Sequence, residues 1–280
     1  MRMRWPGFPR RRSILPRLAS RWDATAHGLV HARVGAPSLP TDAPVVVLVH
    51  GLVISSLYMV PTAQRLAPFM RVLAPDLPGF GRSVKPSATL DVRGLADALR
   101  EWMDVCGLSR VVLVGNSLGC QVIVDLLSRR PDGVVGAVLA GPTTDPGAPT
   151  MLRQILRAVR DVPRENVFLM PLWAIDFFRA GIPRAWRSLH HALEHRIERE
   201  LPALSLPVLV VRGERDPMVS RPWTEYVTSL LQRGRLHVIR GGSHAVNYTN
   251  PAEFAGLIRG FVGAIETDAM DRVGESGPGR

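Results

Sequence analysis

Short runs of apolar, β-branched residues alternate along this chain with stretches whose apolar positions recur every three or four residues. Leu29 to Val34 reads as a strand, and Val45-Val46-Val47-Leu48-Val49 is apolar throughout, as a strand covered on both faces must be. Arg71 to Ala74, Val111 to Val114, Val134 to Ala140, Val208 to Val211 and Leu236 to Ile239 supply further strands. Leu95, Leu99, Trp102 and Cys106 share one face of a helix, and another helix opens at Leu118 and covers Cys120 to Ser128. The last helix has Asn250 as cap, Pro251 in the first turn and Glu253 three residues after the cap. Its apolar stripe is Phe254, Leu257, Ile258 and Phe261. Strands alternating with helices predict an α/β protein whose mostly parallel sheet is flanked by helices.

Residues 146–203 interrupt the pattern. They show no strand signal and three or so helical segments, punctuated at Pro163, Pro171 and Pro183. The expected organisation is therefore a core formed by 23–145 and 204–266, with a helical insertion between two of its strands. Phe168, Leu169, Leu172, Trp173, Phe177 and Phe178 suit either packing on the sheet or the roof of an apolar pocket. Phe168, Trp173 and Phe177 are the candidate substrate contacts. From about 267 to 280 the chain is polar and Gly-rich and reads as a flexible tail.

Charge changes this picture only at the amino end. The 280 residues carry a net charge of +11, but residues 1–22 hold seven arginines and no acid, which leaves +4 for the rest. We expect that segment to be a solvated, disordered tail, with no nucleic-acid partner implied. Arg10 to Arg12 are followed by Ser13-Ile14-Leu15-Pro16-Arg17, with no apolar h-region, so a cytoplasmic protein is expected. At 46% hydrophobic and 21% charged residues the chain can bury a core. No apolar stretch reaches the ~18 residues of a membrane span. Two cysteines, Cys106 and Cys120, exclude a disulfide framework and a four-thiolate zinc site.

The chemistry concentrates in Gly115-Asn116-Ser117-Leu118-Gly119, between a strand and a helix. A serine on such a turn sits in a cramped backbone, so glycines two positions away on either side relieve crowding and the hydroxyl stands above the sheet edge. Serine needs a base, and the base a carboxylate that orients it; for this turn the chain order is serine, acid, histidine. Asp216 follows one strand in Gly213-Glu214-Arg215-Asp216-Pro217, and His244 follows another in Gly241-Gly242-Ser243-His244. Asp145, after Val134 to Ala140, is the second candidate for the acid. His50-Gly51-Leu52-Val53 follows a strand beside the serine, so the main-chain N–H groups of Leu52 and Leu118 are the candidate oxyanion donors, each worth about 3 kcal/mol in a transition state.

Two other patterns carry less. Gly79-Phe80-Gly81 lacks the third glycine and the helix start of a dinucleotide loop, and Asp76 precedes the serine, so that loop reads as structural. His191-Ala192-Leu193-Glu194-His195 has the spacing of a zinc pair, but it lies in the Arg-rich insertion beside His190 without a third ligand at a strand end. These are expected to be exposed residues of a helix.

Taken together, His50-Gly51 after a strand, Asp76 through Ser83, the Ser117 turn, Gly213 to Asp216 and His244 resemble the α/β-hydrolase superfamily over residues 28 to 263. The insertion falls where that family carries its cap. The resemblance implies a Ser117/Asp216/His244 triad and hydrolysis through an acyl-enzyme; an apolar roof over the site would favour a small or medium hydrophobic ester as substrate, and the mechanism needs no metal or organic cofactor. Relatives that open epoxides or remove halides use aspartate at the turn, against which Ser117 argues. Asn116 is similar to hydrolases of carbon–carbon bonds in aromatic ring-fission products, whereas Cys120 departs from them; lactonase and perhydrolase chemistry use the same triad. A non-catalytic binding module on this scaffold would commonly lack a triad member.

Overall fold

The computed structural model describes residues 15–35, 45–129 and 132–275. Eight strands form one sheet: β1 Ala19–Thr25, β2 Gly28–Gly35, β3 Val45–Val49, β4 Arg71–Pro75, β5 Val111–Asn116, β6 Val134–Ala140, β7 Val208–Gly213 and β8 Gly234–Ile239. Their order is β1-β2-β4-β3-β5-β6-β7-β8, with β1, β2 and β4 antiparallel to one another in turn and every later pairing parallel.

The central strands are covered on both sides because their residues alternate between two cores. Val45, Val47, Val49, Val111 and Leu113 face a core closed by α2 (Val92–Val105) and α3 (Leu118–Arg129). Val46, Leu48, Val112 and Val114 face the other, closed by α1 (Val60–Leu66) and, at the carboxyl end of the chain, by Phe254, Ile258 and Val262 of the last helix. Asp91 caps α2 by accepting from Gly94 N at 2.7 Å, and Leu95, Leu99 and Trp102 supply its buried face.

Between β6 and β7 lie α4 (Met151–Asp161), α5 (Leu169–Ala180) and α6 (Ile182–Glu194), so the interruption of the pattern is a helical insertion at the carboxyl ends of the strands. The helices α7 (Arg221–Ser229), α8 (Val246–Thr249) and α9 (Pro251–Glu275) complete the chain. No helix among the described residues is long and apolar enough to cross a membrane.

Two boundaries differ from expectation. The basic segment 1–22 was expected to be tail throughout; residues 1–14 lie outside the described residues, but Ala19 to Thr25 form β1 and pair with β2 from Ala19↔Val34 to Thr25↔Gly28. This strand is an exposed edge whose single buried side chain is Asp23, so it has no apolar alternation to reveal it. Asp23 accepts from Arg21 Nε at 2.7 Å and from Trp102 Nε1 at 3.0 Å, which ties the edge to α2. At the other end α9 continues to Glu275, past the tail expected from 267, because no proline interrupts it.

Candidate functional site

Ser117 occupies the single residue between β5 and α3 and has φ +57°. A left-handed conformation at a residue with a Cβ costs of order 1–3 kcal/mol and persists only when its surroundings enforce it. The enforcement here is backbone contact. A Cβ on Gly119 would lie 2.4 Å from the Val49 carbonyl oxygen, and one on Gly115 would lie 2.7 Å from Gly119 C and O. The helix therefore starts hard against β3 and β5 with no side chain between. Ser117 N donates to Ala140 O at 3.0 Å, fixing the turn to β6 as well.

His244 and Asp216 meet above the next strands. Their Nδ1 and Oδ2 atoms are 2.9 Å apart, while Asp216 Oδ1 accepts from Met218 N at 2.7 Å and Val219 N at 3.1 Å. Both carboxylate oxygens are thus held by donors, which fixes the orientation of the imidazole. The ring lies over Gly141, at φ +55°, where a Cβ would come within 2.9 Å of Nδ1 and Cε1. His244 Nε2 is buried without a hydrogen-bond partner in the protein. Burial alone would lower the histidine, but the charge and hydrogen bond of Asp216, with Asp161 and Glu165 beyond, raise it to about 9.

The structure brings Asp216, not Asp145, to His244. Asp145 is held instead by Arg157 Nη1 at 2.8 Å, Gly147 N at 2.7 Å and Ser220 N at 2.9 Å. Asp76 is likewise enclosed, accepting from His31 Nδ1, Ser56 N and Arg82 N. Burial opposes its ionisation, yet these donors hold its carboxyl down at about 2.

The loop after β3 is braced by two residues. His50 Nε2 accepts from Leu77 N at 2.9 Å while Nδ1 donates to Gly51 O at 2.8 Å, a pattern that requires the neutral ring; burial lowers this histidine accordingly. Tyr58 Oη accepts from Gly51 N at 2.8 Å and donates to Asn116 Oδ1 at 2.9 Å. Gly51 N is therefore engaged, and Leu52 follows it into the cavity beside Ser117. Leu118 begins α3 at the same place and lines a second, smaller cavity with Leu52 and Ser117.

The main cavity, of about 200 Å³, is bounded by Gly51, Leu52, Ser117 and His244 on the sheet side and by α4, α5 and the segment joining them on the other. The smaller one is about 40 Å³ and shares Leu52, Ser117 and Met218 with it, so space opens on both sides of the serine. Of the three candidate substrate contacts, Trp173 lines the main cavity, joined by Leu169 and Met170. Phe168 is largely exposed, and Phe177 stacks on Trp173 with ring centroids 5.0 Å apart; neither lines it. The buried residues of α5 are Leu169 and Asp176, so the roof turns only part of its aromatic content inward.

Sequence reasoning missed Asp161 and Glu165. Both line the cavity, and Glu165 Oε1 accepts from Ala245 N at 2.7 Å, next to His244. Burial raises the Asp161 carboxyl to about 8; His244 works against this and the neighbouring carboxylate of Glu165 adds to it. No spacing rule links these residues to the histidine loop, so only the tertiary fold reveals them.

The zinc-like pattern does not assemble. Helix α6 ends at Glu194, and His195 has extended backbone (φ −76°, ψ 128°), which turns it off the face of His191. Contrary to the expected exposure, His195 is half-buried against Asp125 and Glu200, 3.7 and 3.2 Å away. Burial would lower it, but those two carboxylates raise it to about 9, and Arg129 completes a charged brace between α3 and the insertion. Cys120 is buried within hydrogen-bonding distance of the Gly115 and Ala140 carbonyls, and burial pushes its thiol well up, so it is inert.

Comparison with known proteins agrees with this fold. A family profile described as the alpha/beta hydrolase family matches residues 46–257. The chain is 27% identical over 253 residues to the biotin biosynthesis bifunctional protein BioHC of Cellvibrio japonicus, covering 82% of this chain but about half (49%) of that longer protein. It is 25% identical over 233 residues to the carboxylesterase YbfK of Bacillus subtilis, covering 76% of this chain and 78% of that protein. The crystal structure of that carboxylesterase superposes with a TM-score of 0.70 at 20% identity, over 88% of this chain and 92% of the other.

Proposed function

We propose, for a chain that belongs to the alpha/beta hydrolase family, that Ser117, His244 and Asp216 form a catalytic triad that cleaves carboxylic esters of small or medium hydrophobic acyl groups. The observation that carries this reading is the pairing of His244 with Asp216 at 2.9 Å. It leaves Nε2 without a protein partner in the cavity that the strained Ser117 also lines.

In this mechanism neutral His244 takes the proton of Ser117 as Oγ attacks the acyl carbon. Asp216 keeps the imidazole in the tautomer with Nε2 free and stabilises the imidazolium that forms. The main-chain N–H groups of Leu52 and Leu118 receive the oxyanion. Collapse releases the alcohol with the proton from His244, and water deprotonated by His244 then frees the acid. No step calls for a metal or organic cofactor.

The insertion acts as the cap over this site. The cavity wall of Ile54, Ala158, Val162, Leu169, Met170 and Trp173 is apolar and favours a hydrocarbon acyl chain. The side-chain amide of Asn116, which borders the cavity, is committed to Tyr58, Ala140 O and His244 O, so it braces the site and offers no free polar contact to a ring-fission substrate. A cytoplasmic location belongs to the same reading.

The test is hydrolysis of p-nitrophenyl esters from acetate to decanoate by the full chain and by Ser117→Ala, with and without a chelator. Turnover lost in the variant and indifferent to chelator supports the triad. Failure of a fluorophosphonate probe to label Ser117, with no ester turned over, would leave a binding module.

A further inference from the structure

Helix α4 is inside out. Its buried residues are Gln154 and Asp161, whereas Leu152, Ile155, Leu156 and Val159, which share one face at helical spacing, are between 43 and 66% exposed. The same holds for the segments that follow it in the chain: Phe168 and Phe178 are 73 and 79% exposed, and Ile182 and Trp186 at the start of α6 are exposed as well. Single exposed apolar residues need no explanation, but a run of this kind within one segment marks a surface that meets something.

The charges on the segment identify what it meets. From 151 to 187, Arg153, Arg160, Arg164, Arg179 and Arg187 are exposed, while the three acids, Asp161, Glu165 and Asp176, are buried or turned to the cavity. An apolar stripe rimmed by arginine without an exposed acid complements an anionic, partly apolar surface. A second copy meeting it through a twofold axis would oppose these arginines to themselves. The Arg-rich amino-terminal segment carries the same sign. An anionic bilayer surface has neither problem, since arginines pair with phosphate while aliphatic and aromatic side chains enter the acyl boundary.

We propose that the outward face of α4, α5 and the start of α6 is a docking surface for anionic lipid, on which the protein lies peripherally with its cavity toward the bilayer. Trp173 links the two features, because it lines the cavity and is also 44% exposed. A hydrophobic substrate dissolved in the lipid would then reach Ser117 by passing α4 and α5 without crossing water. The docking itself requires no turnover, so it can be tested separately from the hydrolase reading on which this last consequence rests.

The experiment is flotation of the full chain with vesicles of phosphatidylcholine alone and of phosphatidylcholine with about 30% phosphatidylglycerol, at roughly 0.1 M salt. The wild type is expected to float with the anionic vesicles and to bind neutral ones at least about tenfold more weakly. Leu156→Glu/Val159→Glu should lose at least about tenfold in binding, with melting temperature and turnover of a water-soluble ester unchanged, since neither side chain lines the cavity. Arg153→Gln/Arg160→Gln, a purely surface change, should lose the preference for anionic vesicles. Equal binding to both vesicles, no binding, or binding indifferent to these substitutions would overturn the proposal. So would a lipid-independent dimer that the glutamates dissociate, which would assign the face to a second copy.

Discussion

Asn116 Nδ2 donates to the main-chain carbonyl of His244 at 3.1 Å, so the residue that precedes the proposed nucleophile also holds the loop of the proposed base. The same side chain accepts from Tyr58, whose hydroxyl oxygen accepts from Gly51 N. One buried amide therefore connects nucleophile, base and oxyanion loop. Replacing it by alanine leaves buried partners unsatisfied, at about 1–3 kcal/mol. Asn116→Ala is expected to lower the melting temperature by about 3–10 °C and to reduce kcat more than it raises KM. An unchanged kcat would show that the three loops hold their places independently.

The left-handed backbone of Ser117 separates strain from chemistry. Ser117→Ala removes the nucleophile and keeps the strain; Ser117→Gly removes both. Both variants should be inactive, but the glycine variant should be more stable than the alanine variant by about 1 kcal/mol, or roughly 2–4 °C in melting temperature. Equal melting temperatures would mean that the turn is relaxed.

The raised pKa of His244 sets a pH profile. A base held protonated to about 9 becomes available only as pH climbs, so kcat/KM on a neutral ester should rise through neutrality, reach half its maximum near 9 and level off above that. Asp161→Asn/Glu165→Gln removes two carboxylates that help raise it, and the acidic limb should move to lower pH. The stability contributed by imidazolium is complete below its unfolded value near 6.5 and is lost as pH rises through about 9. The melting temperature of the wild type should therefore fall more steeply over that interval than that of His244→Gln. A limb that stays in place in the double carboxyl variant would separate the pair from the histidine.

Gly141 should tolerate no side chain. Alanine there would combine φ +55° with a Cβ 2.9 Å from the imidazole. The histidine must move, and a displacement of ~1 Å can cost of order a hundredfold in rate. Gly141→Ala should fold, melt lower than the wild type and lose most of its ester turnover; full activity would place His244 elsewhere during catalysis.

Trp173 and Phe177 offer a paired comparison. Because Trp173 lines the cavity and Phe177 only stacks on it, Trp173→Ala should shift the preferred p-nitrophenyl ester to longer chains. Phe177→Ala should keep the preference and weaken the roof slightly. An identical shift in both would show that the stacked pair moves as one wall.

The central features of this protein are local, and local features are legible in sequence. Strands β3 and β5 are apolar on both faces, and the Ser117 turn shows itself through glycines that β3 and the start of α3 require. The positions of Asp216 and His244 follow from chain order along a parallel sheet. Strand β1 was hidden because an exposed edge has no buried face to impose alternation. Asp161 and Glu165 were hidden for a different reason: their effect on His244 arises where the insertion folds back across the sheet. Which aromatic side chains of α5 turn inward depends on the rotation of one helix, to which composition is blind.

The backbone-to-backbone seat of the Ser117 turn divides the protein into parts with unequal freedom to change. Around Gly115 and Gly119 a single added methyl group meets main chain, so that half of the cavity is closed to variation. The opposite half is tied across the cleft by polar links such as Ser55 to Asp176 and Ala245 to Glu165, and many of its outer apolar residues are exposed. Drift in residues 151–194 can therefore reshape what is admitted while the reacting atoms stay where they are. The insertion is an exchangeable part, and an engineer who preserved those links could graft a different roof without rebuilding the machinery beneath it.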